Sequence, residues 1–466
     1  MNPTFLTYFL GCRTNQAEIE EIEEKLKKLG FSPFVSKTGS PDVVIFNSCV
    51  VTQKAEKETA NFIRKLRKKY PQAFIAVLGC GSEAFKKGLA ILPPADLFLG
   101  NQEKEKIIEI LKNKFSPQVP CKVLPTSKYF QSGRALIKIQ EGCDYNCTYC
   151  ITKILRGKSK SESSQKIIRK INSLPKNIKE IILTGTATDL WGKDLKPPKN
   201  LNYLLSEILK KTKIPKITLS SLNPNFLNKK LAKLIAQNQR ISPFLHLSLQ
   251  SGSKKVLKDM GRNCQFNEET PNTKTRDFFL RSCATPPTAE RRLIPQKSCG
   301  DSPCSCCNKL KSLIQLIKQQ RKEFVLRADI IVGFPTEEES DFQKTPQLIK
   351  QLEIAFAHPF TFSPRPGTLA FEKIKKGVWQ DLLKEIKKKR LKILQREVEK
   401  IRKNVAQKLV RKNIKVLATF QEKNTWYGLA ENSFLAKIKT KKNLNQGDLI
   451  NTKIVNYKNN LLEVIF

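Results

Sequence analysis

The sequence predicts an α/β multidomain protein with an N-terminal α/β domain, a central partial (β/α) barrel and a small C-terminal β-barrel. Strand-like and helix-like patterns alternate over residues 1–115, the alternation resumes at residue 135, and short strand-like segments follow residue 411. The chain has 466 residues, of which 39% are hydrophobic, so it is long enough for several cores.

The N-terminal segment, 1–115, carries the pattern of a mostly parallel sheet covered by helices. Strands are predicted by TFLTYFL, DVVIFNSC and AFIAVLGC, and helices by AEIEEIEEKLKKLG and AEKETANFIRKLRKKY. Cys12, Cys49 and Cys80 each follow one of these strands. Because ligands bind at the carboxyl ends of strands in open α/β sheets, we expect these cysteines to converge.

A segment punctuated by Pro and Ser, 115–133, predicts a linker to the central domain. Beyond it, strands are predicted by ALIKIQ, EIILTG, KITLSS, PFLHLSLQ, VLRADIIVGF and AFAHPFTFSPRPG, with helical patterns such as LNYLLSEILKK between them. Repeated βα units of this length predict a full or partial parallel barrel, whose chemistry lies at the carboxyl ends of its strands.

Residues 264–307 interrupt this alternation and predict a disordered insertion. The stretch is rich in Pro, Arg, Ser and Cys and lacks usable periodicity. A zinc or cluster knuckle, or a segment excised before the protein acts, are the alternatives. The cysteines concerned are Cys264, Cys283, Cys299, Cys304, Cys306 and Cys307.

A strongly basic helical stretch, 378–411, precedes KVLATF, WYGLA, FLAKIKT, DLINTKIV and LLEVIF, which predict the small β-barrel. Trp426 and Tyr427 are candidates for stacking on nucleic-acid bases, with packing in the barrel core as the alternative. The formal net charge of +43 favours a polyanionic partner, unless the lysine content only reflects overall composition.

No apolar run reaches the roughly 18 residues of a membrane span, and the start MNPTFLTYFLGC lacks the features of a signal peptide. We therefore expect a cytoplasmic protein without a membrane partner. In a reducing compartment, the 13 cysteines are better suited to metal or cluster ligation than to disulfides.

The stretch EGCDYNCTYC places Cys143, Cys147 and Cys150 in one short loop. Three thiolates on a four-iron cluster leave one iron open to a substrate or cofactor, whereas ordinary electron carriers use four cysteines. Zinc is the structural alternative, although its sites close with four ligands and neither His246 nor His358 is near in sequence. Inert buried cysteines are the remaining alternative.

Followed by ILRG, this triplet resembles the cluster motif of radical S-adenosylmethionine (SAM) enzymes, and the chain outside the insertion resembles their methylthiotransferase family. The N-terminal motifs are LGCRTNQAE, FNSCVVT and LGC. The central motifs are IKIQEGCDYNCTYCI, ILTG, HLSLQSGS, RADIIVGFPTEEESDF and SPRPGTLAF. The C-terminal strands are similar to the family's RNA-binding TRAM barrel. ITKILRG lacks the Pro that the family usually has after the triplet.

The resemblance implies a methylthiotransferase domain at 1–115, a radical SAM core at 128–375, a basic helical connector at 376–403 and a TRAM-like barrel at 404–466. It also implies two 4Fe–4S clusters with SAM as a further cofactor. Cys143, Cys147 and Cys150 would hold the cluster that binds and cleaves SAM. An auxiliary cluster that carries the inserted sulfur would have as ligands Cys12, Cys49 and Cys80.

Four further residues are candidates for contacts with SAM: Tyr149, Gly185, Ser251 and Arg365. Tyr149 matches the family's aromatic residue between the second and third cysteines, with loop packing as the alternative. Gly185 matches a glycine at a strand end, with a simple βα turn as the alternative.

The implied reaction replaces a C–H bond by S–CH₃ at carbon 2 of threonylcarbamoyladenosine beside the tRNA anticodon, because NSCVVT, KIQEGC and LTGTATDLWGKDL are most similar to that branch. Isopentenyladenosine in tRNA is the alternative substrate. A non-catalytic iron–sulfur RNA-binding scaffold, or a radical enzyme that only methylates, are the alternative functions. The expected partners are tRNA and a reductase that donates electrons, and the expected state is a monomer or weak dimer.

Overall fold

The computed structural model describes residues 2–35, 39–117, 132–262 and 305–466. Most of the predicted linker and residues 264–304 of the predicted insertion lie outside the described residues. The last residues of that predicted insertion, 305–307, begin a helix.

The N-terminal domain is a parallel five-stranded sheet with helices packed against it, as the sequence predicts. The strand order is β2-β1-β3-β4-β5. All six residues of the central strand, Val43–Ser48, are buried, which is the pattern of a parallel sheet covered on both faces. The elements are β1 (Thr4–Phe9), α1 (Arg13–Lys28), β2 (Ser32–Pro33), β3 (Val43–Ser48), α2 (Gln53–Lys69), β4 (Phe74–Gly79), α3 (Cys80–Lys86), β5 (Leu97–Leu99) and α4 (Ile107–Phe115).

The central domain is a partial barrel of parallel strands with one short antiparallel edge strand, β7, in agreement with the predicted fold class. Two sheets, β7-β6-β8-β9 and β10-β11-β12, are joined by parallel bridges at Ile217–Ile241 and Leu222–Leu247. The strands are β6 (Arg134–Glu141), β7 (Lys160–Ser161), β8 (Glu180–Gly185), β9 (Lys216–Leu219), β10 (Phe244–Gln250), β11 (Val325–Val332) and β12 (Ile354–Thr361). The helices are α5 (Thr152–Arg156), α6 (Ser164–Asn172), α7 (Leu201–Lys211), α8 (Lys229–Gln237), α9 (Lys254–Asp259), α10 (Ser305–Gln320), α11 (Glu339–Gln351) and α12 (Leu369–Lys375).

A long helix, α13 (Lys384–Leu409), leads into a closed five-stranded barrel. The predicted boundary at residue 403 therefore falls inside this helix. Around the barrel the strand order is β13-β14-β15-β17-β16. The strands are β13 (Asn413–Glu422), β14 (Thr425–Ala430), β15 (Leu435–Lys439), β16 (Leu449–Lys458) and β17 (Leu461–Ile465).

The small barrel packs on the amino-terminal ends of the central strands. The rings of Phe356 and Phe434 lie 4.8 Å apart, and Asn432 donates a hydrogen bond to the carbonyl of Glu323. One hydrophobic core consequently runs from the central domain through α13 into the small barrel. None of the helices that the structure describes combines the length and apolar composition needed to cross a bilayer.

Candidate functional site

Cys12, Cys49 and Cys80 lie together at the carboxyl ends of three neighbouring strands, β1, β3 and β4. Gly11 permits this approach, because a Cβ at that position would lie 2.8 Å from the Cys49 Sγ. Burial raises the pKa of the Cys49 thiol to about 12, and the nearby thiols of Cys80 and Cys12 add to the shift. The three sulfurs therefore lie close enough to interact electrostatically at this edge of the sheet.

Cys143, Cys147 and Cys150 occupy the loop between β6 and α5. The Cys143 amide donates to the Gly157 carbonyl at 3.0 Å, and the Cys150 amide donates to the Cys147 carbonyl at 3.1 Å. Burial raises the pKa of the Cys143 thiol to about 12, with Cys150 and Cys147 adding to the shift through their charges. The loop alone brings these three thiols together.

The spacing of both cysteine trios fits a polynuclear cluster better than a single ion. Sulfur ligands of one tetrahedral zinc lie about 3.8 Å apart, given Zn–S bonds of about 2.3 Å. Among the residues that the structure describes, the one group of three candidate ligands within 4.8 Å of each other is His246, Asp329 and His358. Neither cysteine trio is that compact, and each offers three thiols, which suits a 4Fe–4S cluster with one open iron.

A buried polar network connects the two trios. Arg156, on α5, donates to the Oδ1 of Asn15 at 2.6 Å and to the Oε1 of Glu18 at 2.8 Å. The same Asn15 Oδ1 lies 3.6 Å from the Cys12 Sγ, within range of an S–H donor. Asn101 lies 3.6 Å from the Cys80 Sγ and donates to the Leu155 carbonyl at 2.8 Å. The loop that carries Cys143, Cys147 and Cys150 is thereby fixed relative to the strand ends that carry Cys12, Cys49 and Cys80.

The contacts of this network were not predicted from the sequence. Asn15 and Arg156 both lie in family-like motifs, LGCRTNQAE and ILRG. Nothing in either motif, however, indicates that the two side chains meet across a domain interface. The signal available was only their closeness in sequence to Cys12 and Cys150.

The four residues predicted to contact SAM lie at or beyond the carboxyl ends of central strands. Tyr149 packs edge-on against Phe334, with ring centroids 6.4 Å apart, and burial raises the pKa of its phenol well above the usual value. Gly185 ends β8, where a Cβ would lie 2.8 Å from the Gln140 carbonyl oxygen. Ser251 is buried and its hydroxyl accepts from the Ser253 amide at 3.1 Å.

The fourth of these residues, Arg365, is fully buried and points toward the N-terminal domain. Its Nη1 donates to the Oε2 of Glu56 on α2 at 2.6 Å. Its Nε and Nη2 have no hydrogen-bond partner among the described residues. Arg365 thus joins two domains and keeps donors for a further ligand.

Of the two candidates for stacking on bases, Tyr427 is stacked on another aromatic side chain of the small barrel and Trp426 is not. Tyr427 stacks on Phe420 across the β13–β14 hairpin, with centroids 5.0 Å apart and planes inclined by 11°. Phe420 is 49% exposed, whereas Trp426 packs against the hydrophobic core. Phe420 was not predicted from the sequence, because only the strand register shows that it lies opposite Tyr427.

Comparisons with known proteins agree with this architecture. Residues 4–100 match the uncharacterized protein family UPF0004, and residues 137–270 match the radical SAM superfamily. The chain is 31% identical to the threonylcarbamoyladenosine tRNA methylthiotransferase MtaB of Aquifex aeolicus, over 83% of this chain and 85% of that protein. It is 30% identical to the protein of the same name from Thermotoga maritima, over 88% of this chain and 85% of that protein.

A second group of relatives carries a different name. The tRNA-2-methylthio-N(6)-dimethylallyladenosine synthase of Dictyoglomus thermophilum is 30% identical over 83% of this chain and 80% of that protein. Among solved structures, the radical SAM methyltransferase TsrM from Kitasatospora setae superposes with a TM-score of 0.53 at 13% identity, covering 81% of this chain and 76% of that chain. That likeness concerns the fold alone.

Proposed function

The chain belongs to the radical SAM tRNA methylthiotransferase family, and on this premise we propose that it inserts a methylthio group at carbon 2 of threonylcarbamoyladenosine beside the tRNA anticodon. The observation that carries the proposal is the pair of cysteine trios linked by the buried Arg156 network. The relatives named for threonylcarbamoyladenosine, at 30–31% identity, support this substrate.

Members of the family use SAM and two 4Fe–4S clusters. We assign the cluster that binds SAM to Cys143, Cys147 and Cys150. We assign the auxiliary cluster to Cys12, Cys49 and Cys80. When bound, these groups would supply the electron, the radical and the sulfur, and a second SAM would supply the methyl group, so that a C–H bond is replaced by S–CH₃.

The side chains of this protein position those groups and shield them from water. Arg156, Asn15 and Glu18 set the separation of the two trios, because they are buried and bonded to one another. An apolar wall of Tyr149, Phe334 and Phe362 lies beside the radical SAM loop. By this name we mean the loop between β6 and α5 that carries Cys143, Cys147 and Cys150. Such a wall excludes solvent, which protects reactive species from side reactions.

Binding of tRNA is attributed to the small barrel and the basic surface. The stacked Phe420–Tyr427 pair offers an exposed aromatic face, and the chain carries a net charge of +43. The proposal also includes a reductase as the electron donor, a monomeric or weakly dimeric state and a cytoplasmic location.

The test is mass spectrometry of tRNA nucleosides from cells that lack their own methylthiotransferases and express this chain. The 2-methylthio derivative of threonylcarbamoyladenosine should appear with the unaltered protein. It should be absent with Cys147→Ala and with Cys49→Ala, although tRNA still binds. Failure of the unaltered protein to produce it would reject the substrate assignment.

Isopentenyladenosine is the second candidate substrate, because the Dictyoglomus relative is named for the equivalent dimethylallyl nucleoside. The same spectra separate the two, since their methylthio products differ in mass. A non-catalytic scaffold would release no 5′-deoxyadenosine from SAM in the anaerobic, reduced protein, even with both clusters present.

A further inference from the structure

Both histidines of this 466-residue chain lie in one cluster inside the partial barrel. His246 is on β10, Asp329 on β11 and His358 on β12, and these strands are adjacent. The neighbours of His246 along the strand, Leu245 and Leu247, are buried in the hydrophobic core with the outer helices. Since successive side chains alternate between sheet faces, the cluster projects into the concave interior.

Both imidazole rings approach the same carboxylate oxygen. The Oδ1 of Asp329 lies 2.9 Å from the Nε2 of His246 and 3.6 Å from the Nδ1 of His358. The shorter contact is not an aligned hydrogen bond, because the buried Nε2 of His246 lacks a hydrogen-bond partner among the described residues. The Ser221 hydroxyl donates to the other oxygen, Oδ2, at 3.3 Å. This hydrogen bond orients the Asp329 carboxylate, in the way that outer hydrogen-bond partners orient the carboxylate ligands of metal sites.

We propose that His246, Asp329 and His358 bind a divalent transition-metal ion inside the barrel, with coordination positions left open for oxygen ligands. Two imidazoles and one carboxylate form a donor set typical of Fe²⁺, Zn²⁺ and related ions. With metal–ligand bonds of about 2.1 Å, adjacent ligand atoms lie about 3 Å apart around an octahedral ion and about 3.4 Å apart around a tetrahedral one. The Oδ1 of Asp329 is at comparable distances, 2.9 Å and 3.6 Å, from the two imidazole nitrogens.

The charges around the site favour an anionic ligand in the open positions. Arg327 lies on the same strand face as Asp329, with its guanidinium 5.2 Å from the rings of Phe244 and Phe356. A divalent ion and one carboxylate leave a net charge of about +1, which attracts a carboxylate.

The ion would lie within a nucleoside's reach of the radical SAM loop. Ser248, two residues beyond His246 on the same face, accepts from Arg262 at 3.1 Å, and Arg262 lies 3.6 Å from the Cys147 Sγ. If the proposed function holds, the ion selects the substrate. The threonylcarbamoyl group offers a carboxylate and a hydroxyl to a metal, whereas an isopentenyl group offers no oxygen.

Mn²⁺ binding to the cluster-loaded, untagged protein tests the site itself. Mn²⁺ prefers oxygen and nitrogen over thiolate, so the cysteines compete little, and free Mn²⁺ is counted by its room-temperature EPR signal. One high-affinity equivalent is expected, with affinity weakened at least tenfold in Asp329→Asn and His358→Ala. Asp448→Asn, a matched change in a turn of the small barrel, should bind like the unaltered protein. Equal affinity in all four proteins would overturn the proposal.

A second measurement needs no variant. With ¹³C-labelled histidine, NMR observes the imidazoles of the two histidines and of no other residue. Substoichiometric Mn²⁺ should broaden the signals of both imidazoles together. Two signals that stay sharp at saturating Mn²⁺ would contradict the site.

Nucleoside selection is measured with the same variants. Asp329→Asn should lower methylthiolation of threonylcarbamoyladenosine at least tenfold while 5′-deoxyadenosine formation continues. Unchanged methylthiolation would overturn the selective role of the ion. A normal Mn²⁺ result combined with product only on isopentenyladenosine would instead reject the proposed function and keep the metal site.

Discussion

Single buried residues fix the position of the two cysteine trios relative to each other. Glu18 is buried among three cations, Arg156, Lys104 and Lys138. Although burial opposes ionisation, these cations hold the pKa of Glu18 far below its usual value. An ion network of this kind is costly to break, because the remaining charges stay buried without full compensation.

Arg156→Gln is expected to lower the free energy of unfolding by about 3 kcal/mol, since Glu18 would lose its bidentate partner in a buried site. Urea denaturation of the cluster-free protein measures the change. The matched control is Lys170→Gln, whose partly exposed pair with Glu21 crosses the same interface. Its effect should stay below about 1 kcal/mol. Equal losses in the two variants would contradict the role assigned to burial.

At the scale of elements, the first residue of β8 holds three strands of the barrel together. Glu180 is buried, bonds to Arg134 on β6 at 3.0 Å and lies 3.4 Å from Lys216 on β9. Burial would raise the pKa of Glu180, but Lys216 and Arg134 outweigh it and lower the value to about 2. Its ionised form is thus the one that the folded state prefers.

Because the folded pKa of Glu180 is depressed, its contribution to stability is present above the pKa of the unfolded chain and is lost as the pH falls toward 2. We expect Glu180→Gln to cost roughly 3 kcal/mol near neutral pH and much less near pH 2. Urea denaturation across this pH range gives the difference. Glu353→Gln, at a half-exposed site with a pKa also near 2, should show a smaller effect because solvent screens its partners.

The β13–β14 hairpin carries the second prediction at this scale. Phe420→Ala should weaken tRNA binding by roughly 5- to 160-fold, because stacking on a base contributes about 1–3 kcal/mol. Leu435→Ala removes a side chain of similar exposure, 52%, from the same barrel and should leave the affinity unchanged. Filter binding measures both, and equal effects would show that the hairpin does not stack on RNA.

Over the whole molecule, the basic charge is divided between internal pairs and the surface. On α13, Lys387 pairs with Asp381 at 2.5 Å and Arg390 pairs with Glu337 at 2.8 Å. These cations therefore stabilise the packing of the helix against the central domain. Lys388, Lys389 and their exposed neighbours remain available to a polyanion. The sequence alone did not separate the two sets.

The remaining surface charge predicts a steep salt dependence of tRNA binding. Affinity should fall by about 1,000-fold between 50 and 200 mM salt if about six phosphates are neutralised, because each releases condensed counterions. Formation of 5′-deoxyadenosine without tRNA is the control and should change little. A loss below tenfold would argue that tRNA is held mainly by contacts other than phosphates.

The domain order, the partial barrel and the grouping of three cysteines in one loop followed from the sequence. Hydrophobic periodicity determines local structure, and Cys143, Cys147 and Cys150 lie so close together that one loop must gather them. The convergence of Cys12, Cys49 and Cys80 was expected from the rule that ligands gather at strand ends. These features depend on local chemistry or on general topology.

Only the tertiary structure decided which distant side chains meet. The contact of Arg156 with Glu18, the pairing of Phe420 with Tyr427, and the cluster of His246, Asp329 and His358 each join residues from separate elements. Their meeting depends on strand order, register and the face that each side chain takes. Because those quantities come from packing the whole chain into one core, no local pattern in the sequence records them.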